Sequence, residues 1–549
     1  MMSFFLLFCV IFLEINGQSN TWPIVVSREA GNNKVSIGNS FKFVTASKSN
    51  ILQESLLRYE KLITRFPSKG SLISCTVEVS SDDETLDFEH LSESYKIDIE
   101  DNNKCSITAK SIYGAMHGLE TFSQELIRTE NENGNEHEDA ITNIAVPLHI
   151  TDEPVYTHRG MMLDTSRHYL SIDKIKQSVD AMVISKLNVL HLHLVDAESF
   201  PFDSPSSPRL VLGAYSNKAI YTLKDMEDLK LYAQNRGVLL ILEIESPGHA
   251  ATLIHSYPNL MAKCFQKYYY NYNDFALDPT LEKTYEIVSG ALKDASSTGA
   301  ARLHLGGDEV VYGCWEQDRQ LNERMEEMQV SSYPALLTQY AIELQNQVLQ
   351  QSNKDNQDNK EKEVTWWQDI YDAMVDANTN DDSNNNKSSM KLDTNTTIFQ
   401  VWRGDGSDIQ SITTAGYRVV ASPDNYWYLD KNYKWDVLYY YDPAKNLTTE
   451  AIQNKLLLGG EVVMFGEMVD DSNVIQKTQP LAATVAERLW SAPSAQPDDP
   501  IDSRIGTCVK DCTNSDLVLE RLKTLRCRMV SRGIPAAPIA PSHCQGEFI

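Results

Sequence analysis

An adjacent pair of acids, Asp308 and Glu309, follows the run RLHLGG in this chain. Neighbouring carboxylates resist joint ionisation, so one of the two should titrate high. A proton-bearing acid beside an ionised one is what cleavage of a glycosidic bond requires. A retaining enzyme with two working carboxylates holds them ~5–5.5 Å apart across the sugar, whereas neighbours on a strand point to opposite sides. The pair can therefore act on one bond only if the substrate supplies its own nucleophile. Other reactive residues fall at the ends of further apolar runs: Asp164 and Arg167, Asp196, Glu245 and His249, Trp366 and Trp367, Trp402, Trp427, Tyr428 and Asp430, and Glu467. Aromatic rings cover the apolar faces of a sugar, while carboxylates and an arginine bind its hydroxyls, so the set reads as a saccharide pocket. His191 and His193 form an HxH pair, the one hint of a metal-dependent barrel. The pair lies inside its strand with Asp196 at the mouth, so no metal and no other cofactor is expected.

The elements that must position these residues are eight apolar runs at 159–165, 188–195, 238–245, 302–309, 363–369, 397–402, 417–423 and 461–467. Most are separated by helical patterns. One helix starts near Ser171, with Ile172, Ile175, Val179, Met182 and Val183 on one face, and another spans about 222–236. Near-continuous apolar strands with helical crossovers imply a parallel sheet, and eight of them imply a (β/α)8 TIM barrel, within 151–549. Active sites of such barrels lie at the C-terminal ends of the strands. The connections around the sixth to eighth strands are poor in helix signal and rich in Tyr and Trp. Residues 18–150 mix short β-rich runs with the helical stripe Ile112, Met116, Leu119, Phe122 and Leu126, which reads as a small α+β domain with an antiparallel sheet. Asparagine-rich stretches at 351–363 and 378–389 cannot bury a core and read as surface insertions.

The chain has 49 Lys and Arg against 76 Asp and Glu, a net charge of −27. Such a surface repels phosphate backbones and anionic headgroups, which excludes nucleic acid and a membrane surface as expected partners. The apolar run at 3–13 is too short to span a bilayer but fits the core of a secretory signal peptide over 1–17, and no later run is long enough for a membrane span. Eight cysteines remain after that segment: Cys75, Cys105, Cys264, Cys314, Cys508, Cys512, Cys527 and Cys544. An even number in a secreted chain points to disulfides, and no spacing matches a zinc site. Asn386, Asn395 and Asn446 head glycosylation sequons.

HLGGDE at 304–309 resembles the signature of the family 20 β-N-acetylhexosaminidases. RGMMLDTSRHYLS, SKLNVLHLHLVDAESFP, ESPGHA, LGGDEVVYGCW, QVWRGD and TVAERLW resemble the same family in the same order, from about Tyr156 to the C-terminus. The eukaryotic lysosomal-type members are the nearest likeness. The resemblance implies an exo-acting hydrolase that removes terminal non-reducing β-linked N-acetylglucosamine or N-acetylgalactosamine with retention. The 2-acetamido group would serve as nucleophile. Glu309 would be the general acid and base, Asp308 would orient the acetamido group, and Asp196 with His249 would support the acid. Arg167, Asp430 and Glu467 would hold the outer hydroxyls. Trp367 and Trp402 would wall the acetamido pocket, and Tyr428 would donate to its carbonyl oxygen. Phe465 stands where close members have tryptophan, and Asp430-Lys431 leaves the preference between neutral and anionic sugars open. A catalytically silent sugar-binding protein is the alternative, set against the presence of both acids. The implied setting is the secretory pathway, lysosomal or secreted, and by family analogy a homodimer. Expected disulfides are Cys75–Cys105, Cys264–Cys314 and, by elimination, Cys508–Cys512; Cys527–Cys544 resembles a C-terminal bridge of the lysosomal-type relatives.

Overall fold

The computed structural model describes residues 21–65, 70–87, 89–129, 141–263, 275–354, 362–379, 390–491 and 512–544. The expected signal segment 1–17, Asn386, Cys264 and Cys508 lie outside them, as do the expected loop at 131–139 and most of both asparagine-rich stretches. The first four residues of the 351–363 stretch are the end of the helix Tyr333–Lys354.

Six strands build the N-terminal domain: β1 (Ser27–Thr45), β2 (Leu72–Val79), β3 (Tyr95–Ile99), β4 (Cys105–Ala109), β5 (Ile127–Thr129) and β6 (Ile141–Asp152). Their order is β1-β2-β4-β3-β6-β5, and β1 also pairs with β6. The sheet is mixed rather than wholly antiparallel. β2 runs parallel to both β1 and β4, because α1 (Asn50–Ile63) carries the chain back between β1 and β2. α2 (Ile112–Glu125) carries the predicted stripe, yet all 14 of its residues are buried. Its second face is covered by the C-terminal helix Cys512–Ser531 and its exit, where Arg528 donates to the Gln124 carbonyl (2.6 Å) and Arg532 to the Glu120 carboxylate (2.9 Å). Cys75 and Cys105 join β2 to β4, and Cys527 joins Cys544 across the end of the chain. Cys314 is disulfide-bonded.

Eight parallel strands close the barrel: β7 (His158–Asp164), β8 (Val189–Val195), β9 (Leu239–Ile244), β10 (Arg302–His304), β11 (Val364–Trp367), β12 (Thr397–Val401), β13 (Arg418–Ala421) and β14 (Leu457–Met464). β14 returns to β7 in register Gly459–His158 through Met464–Leu163. β7 and β8 are buried along their whole length, as strands covered on both faces must be. α3 (Ile172–Ile184) is capped by Ser171, and α4 (Leu223–Gln234) by a capping box of Thr222 and Asp225. Between β12 and β14 the crossovers shrink to helices of five to seven residues, Asp408–Thr414, Trp435–Tyr440 and Thr449–Gln453. Among the described residues no helix is long and apolar enough to cross a membrane.

Sheet and barrel meet over buried charge. Asp152, the last residue of β6, accepts from Lys186 Nζ (2.9 Å), the Tyr95 hydroxyl (2.6 Å) and the Trp490 indole (3.0 Å). Lys186 and Asp152 are both fully buried. Beside them Arg159, at the start of the barrel, grips Glu93 with two guanidinium nitrogens (2.6 and 2.9 Å). Removing one member of such a pair strands the other charge at a cost of ~3–5 kcal/mol, whereas replacing both with apolar groups costs far less. We therefore expect Asp152→Ala to lower the melting temperature steeply and Lys186→Met added to it to restore much of the loss. Thermal unfolding of the two variants checks this, and equal melting temperatures for both would contradict it.

Candidate active site

The β10 strand stops at His304, five residues short of the end of the 302–309 run. Gly306 and Gly307 follow with φ of +72° and +100°, and Glu309 itself stands at +47°. A side chain on Gly306 would run into the Glu245 carboxylate at 2.1 Å, so this turn needs glycine. Asp308 and Glu309 thus sit on a tight turn at the barrel mouth, where side chains of successive residues need not diverge as they would on a strand. Asp308 is turned inward, with 14% of its side chain exposed, while Glu309 is 47% exposed.

His249 lies between the two acids and the next strand end. Its Nε2 is 3.4 Å from Glu309 Oε2 and 3.7 Å from Asp308 Oδ2. Its Nδ1 donates to Asp196 Oδ1 (3.0 Å), and Asp196 Oδ2 receives His193 Nε2 (2.7 Å) and Arg167 NH1 (2.8 Å). Three cations thus converge on one buried carboxylate, which outweighs its burial and holds Asp196 far below the usual carboxylate range. Burial opposes the His249 imidazolium, but Asp196 and Asp308 overcome it and hold its pKa well above the ordinary histidine value.

The adjacent acids are driven apart. Burial, joined by the charges of Asp369, Glu243 and Glu309, pushes Asp308 up to about 7 against the pull of His249. The hydrogen bond from His249 pulls Glu309 below its ordinary value. The two shifts have opposite sense, so of this pair the imidazole is the favoured holder of the proton. Asp308 Oδ1 is buried without a hydrogen-bond partner.

Aromatic rings gather beside the acids, with Tyr428 close enough to feel the charge of Asp308. Trp367, Tyr428, Trp402 and Phe465 form one cluster with Met162 and Val463. Trp402 stacks on Tyr428 at 6.5 Å, and Tyr428 meets Phe465 at 5.4 Å. The Trp367 indole donates to Glu243 Oε1 (2.7 Å), and the Trp402 indole to Asp369 Oδ2 (2.9 Å). Arg167 lies over the Phe465 ring and is held by Asp164, Asp196 and Glu198. Asp430 is pushed up to about 6, chiefly by burial, and Glu467 is exposed nearby on the loop after β14. The structure brings Asp196, His249, Asp308, Glu309, Arg167, Trp367, Trp402, Tyr428, Asp430, Phe465 and Glu467 to the barrel mouth, whereas Trp366 and Trp427, expected in the sugar pocket, are fully buried in the main core, where their indoles donate to Gln345 and to the Leu438 carbonyl.

Sequence reasoning did not assign Glu243, Glu461, Glu198 or Asp369. His191 and His193 face carboxylates along the barrel axis: His191 Nδ1 donates to Glu461 Oε2 (2.9 Å), and His193 Nδ1 to Glu243 Oε2 (2.5 Å). These contacts raise the two imidazoles to about 9 and about 10 despite burial. The signal was present in VLLILEIE, where Glu243 and Glu245 at i, i+2 must face the same way as each other in an otherwise apolar strand. Asn395 and Asn446, the sequons within the described residues, are both exposed.

Asp308 binds a proton more tightly folded than unfolded. Its stabilising contribution is complete below its ordinary pKa near 3.8 and is lost as pH rises through about 7. The parent should therefore lose more thermal stability between about pH 5 and about pH 8 than Asp308→Asn does. His117, His158 and His304, whose pKa values burial lowers, act in the opposite sense but equally in both proteins. Identical pH profiles of melting temperature for parent and variant would contradict the raised Asp308.

Residues 156–493 match the glycosyl hydrolase family 20 catalytic domain, and residues 21–125 match a domain described as beta-acetyl hexosaminidase like. The chain is 32% identical over 541 residues to beta-hexosaminidase 3 of Arabidopsis thaliana, covering 94% of this chain and 90% of the relative. It is 32% identical over 467 residues to the beta-hexosaminidase subunit alpha of Rattus norvegicus, covering 83% and 78%. In fold it is similar to a chitobiase from Flavobacterium johnsoniae, with a TM-score of 0.74 at 24% identity, over 94% of this chain and 73% of that one. The match spans well over half of the chain and runs through every strand of the barrel and every residue of its mouth, and on that ground the chain belongs to glycosyl hydrolase family 20.

Proposed function

We propose that the chain is an exo-acting β-N-acetylhexosaminidase that removes terminal non-reducing β-linked N-acetylglucosamine or N-acetylgalactosamine with retention. One observation carries this reading: the buried, unpartnered Asp308 Oδ1 lies beside the aromatic cluster of Tyr428, Trp367, Trp402 and Phe465 and next to an accessible Glu309. An acetamido group fits there, with its N–H on Asp308 and its methyl group against Trp367 and Trp402. Tyr428 donates to its carbonyl oxygen. Arg167, Asp430 and Glu467 take the far hydroxyls, and the ring face rests on Phe465.

In the first step the acetamido oxygen attacks C1 and the C1–O bond breaks. The proton that His249 holds against Glu309 moves onto Glu309 and from there to the departing oxygen, which leaves Glu309 ionised for the second step. The oxazolinium-like ring that forms carries positive charge on nitrogen, which the Asp308 carboxylate stabilises. In the second step Glu309 takes a proton from water, the water oxygen bonds to C1, and the acetamide is restored. Two inversions give net retention. Because the nucleophile comes with the substrate, one protein acid suffices, and the ~5–5.5 Å separation of two flanking carboxylates is not required.

The same reading places the protein in the secretory pathway after loss of residues 1–17, with the mature chain dividing near residue 150, glycans at Asn386, Asn395 and Asn446, and delivery to lysosomes or the exterior. Paired cysteines and the exposure of Asn395 and Asn446 support it. Remaining disulfides would be Cys264–Cys314 and Cys508–Cys512, and assembly would be as a homodimer.

Glu309→Gln should cost ~10²–10⁴-fold in kcat/KM on a substrate with an unactivated leaving group and much less on a dinitrophenyl glycoside, which needs little protonation. Equal losses would remove Glu309 from the role of acid. For the parent, progressive fluorination of the acetamido methyl group should slow turnover steeply, since it weakens the internal nucleophile. A flat series would point to a protein nucleophile instead.

A further inference from the structure

We infer that Asp369 is a positioning residue that fixes the general acid and the pocket wall with one carboxylate. It sits just past β11, 7% exposed. Its Oδ1 accepts the backbone N–H of Glu309 (3.0 Å), and its Oδ2 accepts the indole N–H of Trp402 (2.9 Å). Each oxygen therefore serves a different wall of the pocket. The Arg403 guanidinium pairs with the same carboxylate and with Asp372 (3.1 Å), and lies 5.4 Å from the centre of the Trp402 ring. Gln368, the preceding residue, completes the clamp: its Oε1 accepts the backbone N–H groups of Trp402 (2.9 Å) and Arg403 (2.8 Å).

Glu309 needs such a restraint. Its φ of +47° is a backbone region that residues with a Cβ occupy only when the surroundings hold them there. No helix or strand ladder holds its N–H; the bond to Asp369 does. The direction of the Glu309 side chain toward a leaving-group oxygen follows from that peptide, and a ~1 Å misplacement of a catalytic group costs ~10²-fold. The Trp402 ring is fixed by the other oxygen, so acid and wall are set in one frame. Asp369 touches neither sugar nor reacting atom in this arrangement.

This inference rests on Glu309 being the acid, and the test separates the two. kcat and KM are measured for dinitrophenyl, nitrophenyl and methyl N-acetyl-β-glucosaminides with the full-length parent, Asp369→Asn, Asp369→Glu, Trp402→Phe and Glu309→Gln. Asparagine presents one oxygen and one NH2, so it cannot accept from both N–H groups. Asp369→Asn should lose ~10²-fold in kcat/KM on the methyl glycoside and less than about tenfold on the dinitrophenyl glycoside. The loss should fall in kcat. Asp369→Glu keeps the charge but moves it by a methylene, and should show the same dependence at smaller amplitude, which keeps the test alive if the amide variant folds poorly. Trp402→Phe keeps a ring without its N–H and should lose about equally on all three substrates. A leaving-group dependence in Glu309→Gln but not in either Asp369 variant overturns the positioning role. Absence of the dependence in Glu309→Gln overturns the acid assignment itself.

Discussion

A carboxylate buried in a barrel core stays ionised only if cations surround it, and the site of this protein is built on that requirement. One string of imidazoles and carboxylates runs along the barrel axis. His158 meets Glu461 (2.8 Å), Glu461 meets His191, and Glu243 stands against both His191 (3.1 Å) and His193. His193 then meets Asp196, and Asp196 meets His249 at the mouth. Each carboxylate is shared by at least two imidazoles. Taking any one ion from water costs several kcal/mol unless partners satisfy it, so the members stand or fall together. Such a string has little freedom to shift. It delivers His249 to the acids from a fixed direction, and through the indole bond to Glu243 it fixes Trp367 as well.

That rigidity explains the division between a polar axis and an apolar shell. The inward faces of β8, β9 and β14 carry His191, His193, Glu243 and Glu461, while the outward faces carry leucine and valine packed under helices. Barrel interiors are usually filled by branched apolar layers. Here the filling is ionic, and it is tolerable because the charges alternate. The aromatic wall then occupies the last layer, where the string opens to solvent and a sugar can replace water.

The barrel was legible because its strands are buried on both faces and so read as unbroken apolar runs. The mouth residues were legible because chemistry-bearing types cluster where those runs end. Three features were not. The 302–309 run looks continuous, yet the positive φ of Gly306 and Gly307 ends β10 at His304, and only the backbone shows it. Glu243 and Glu461 are read as breaks in a hydrophobic strand until their partners, up to 303 residues away, are known. α2 showed a stripe but is buried all round, because its polar face is met by Arg528 and Arg532 from the far end of the chain. Contacts between distant segments leave no periodic trace in either segment.

Adjacent acids with different duties are the remaining problem, and turn geometry resolves it. On a strand, Asp308 and Glu309 would face opposite sides of the sheet. With Glu309 at positive φ, both reach the same mouth from one turn but at different depths. Depth then sets chemistry. The inner carboxyl meets Glu243, Asp369 and little water, so it holds a proton more tightly than an ordinary carboxyl. The outer one meets His249 and solvent, and the hydrogen bond from His249 holds it below its ordinary value. Had both acids stood at equal depth, their mutual repulsion would have put one shared proton between them, and neither role would be assigned. One reversed backbone angle, held by the Asp369 carboxylate just past β11, separates the group proposed to stabilise charge from the group proposed to move a proton.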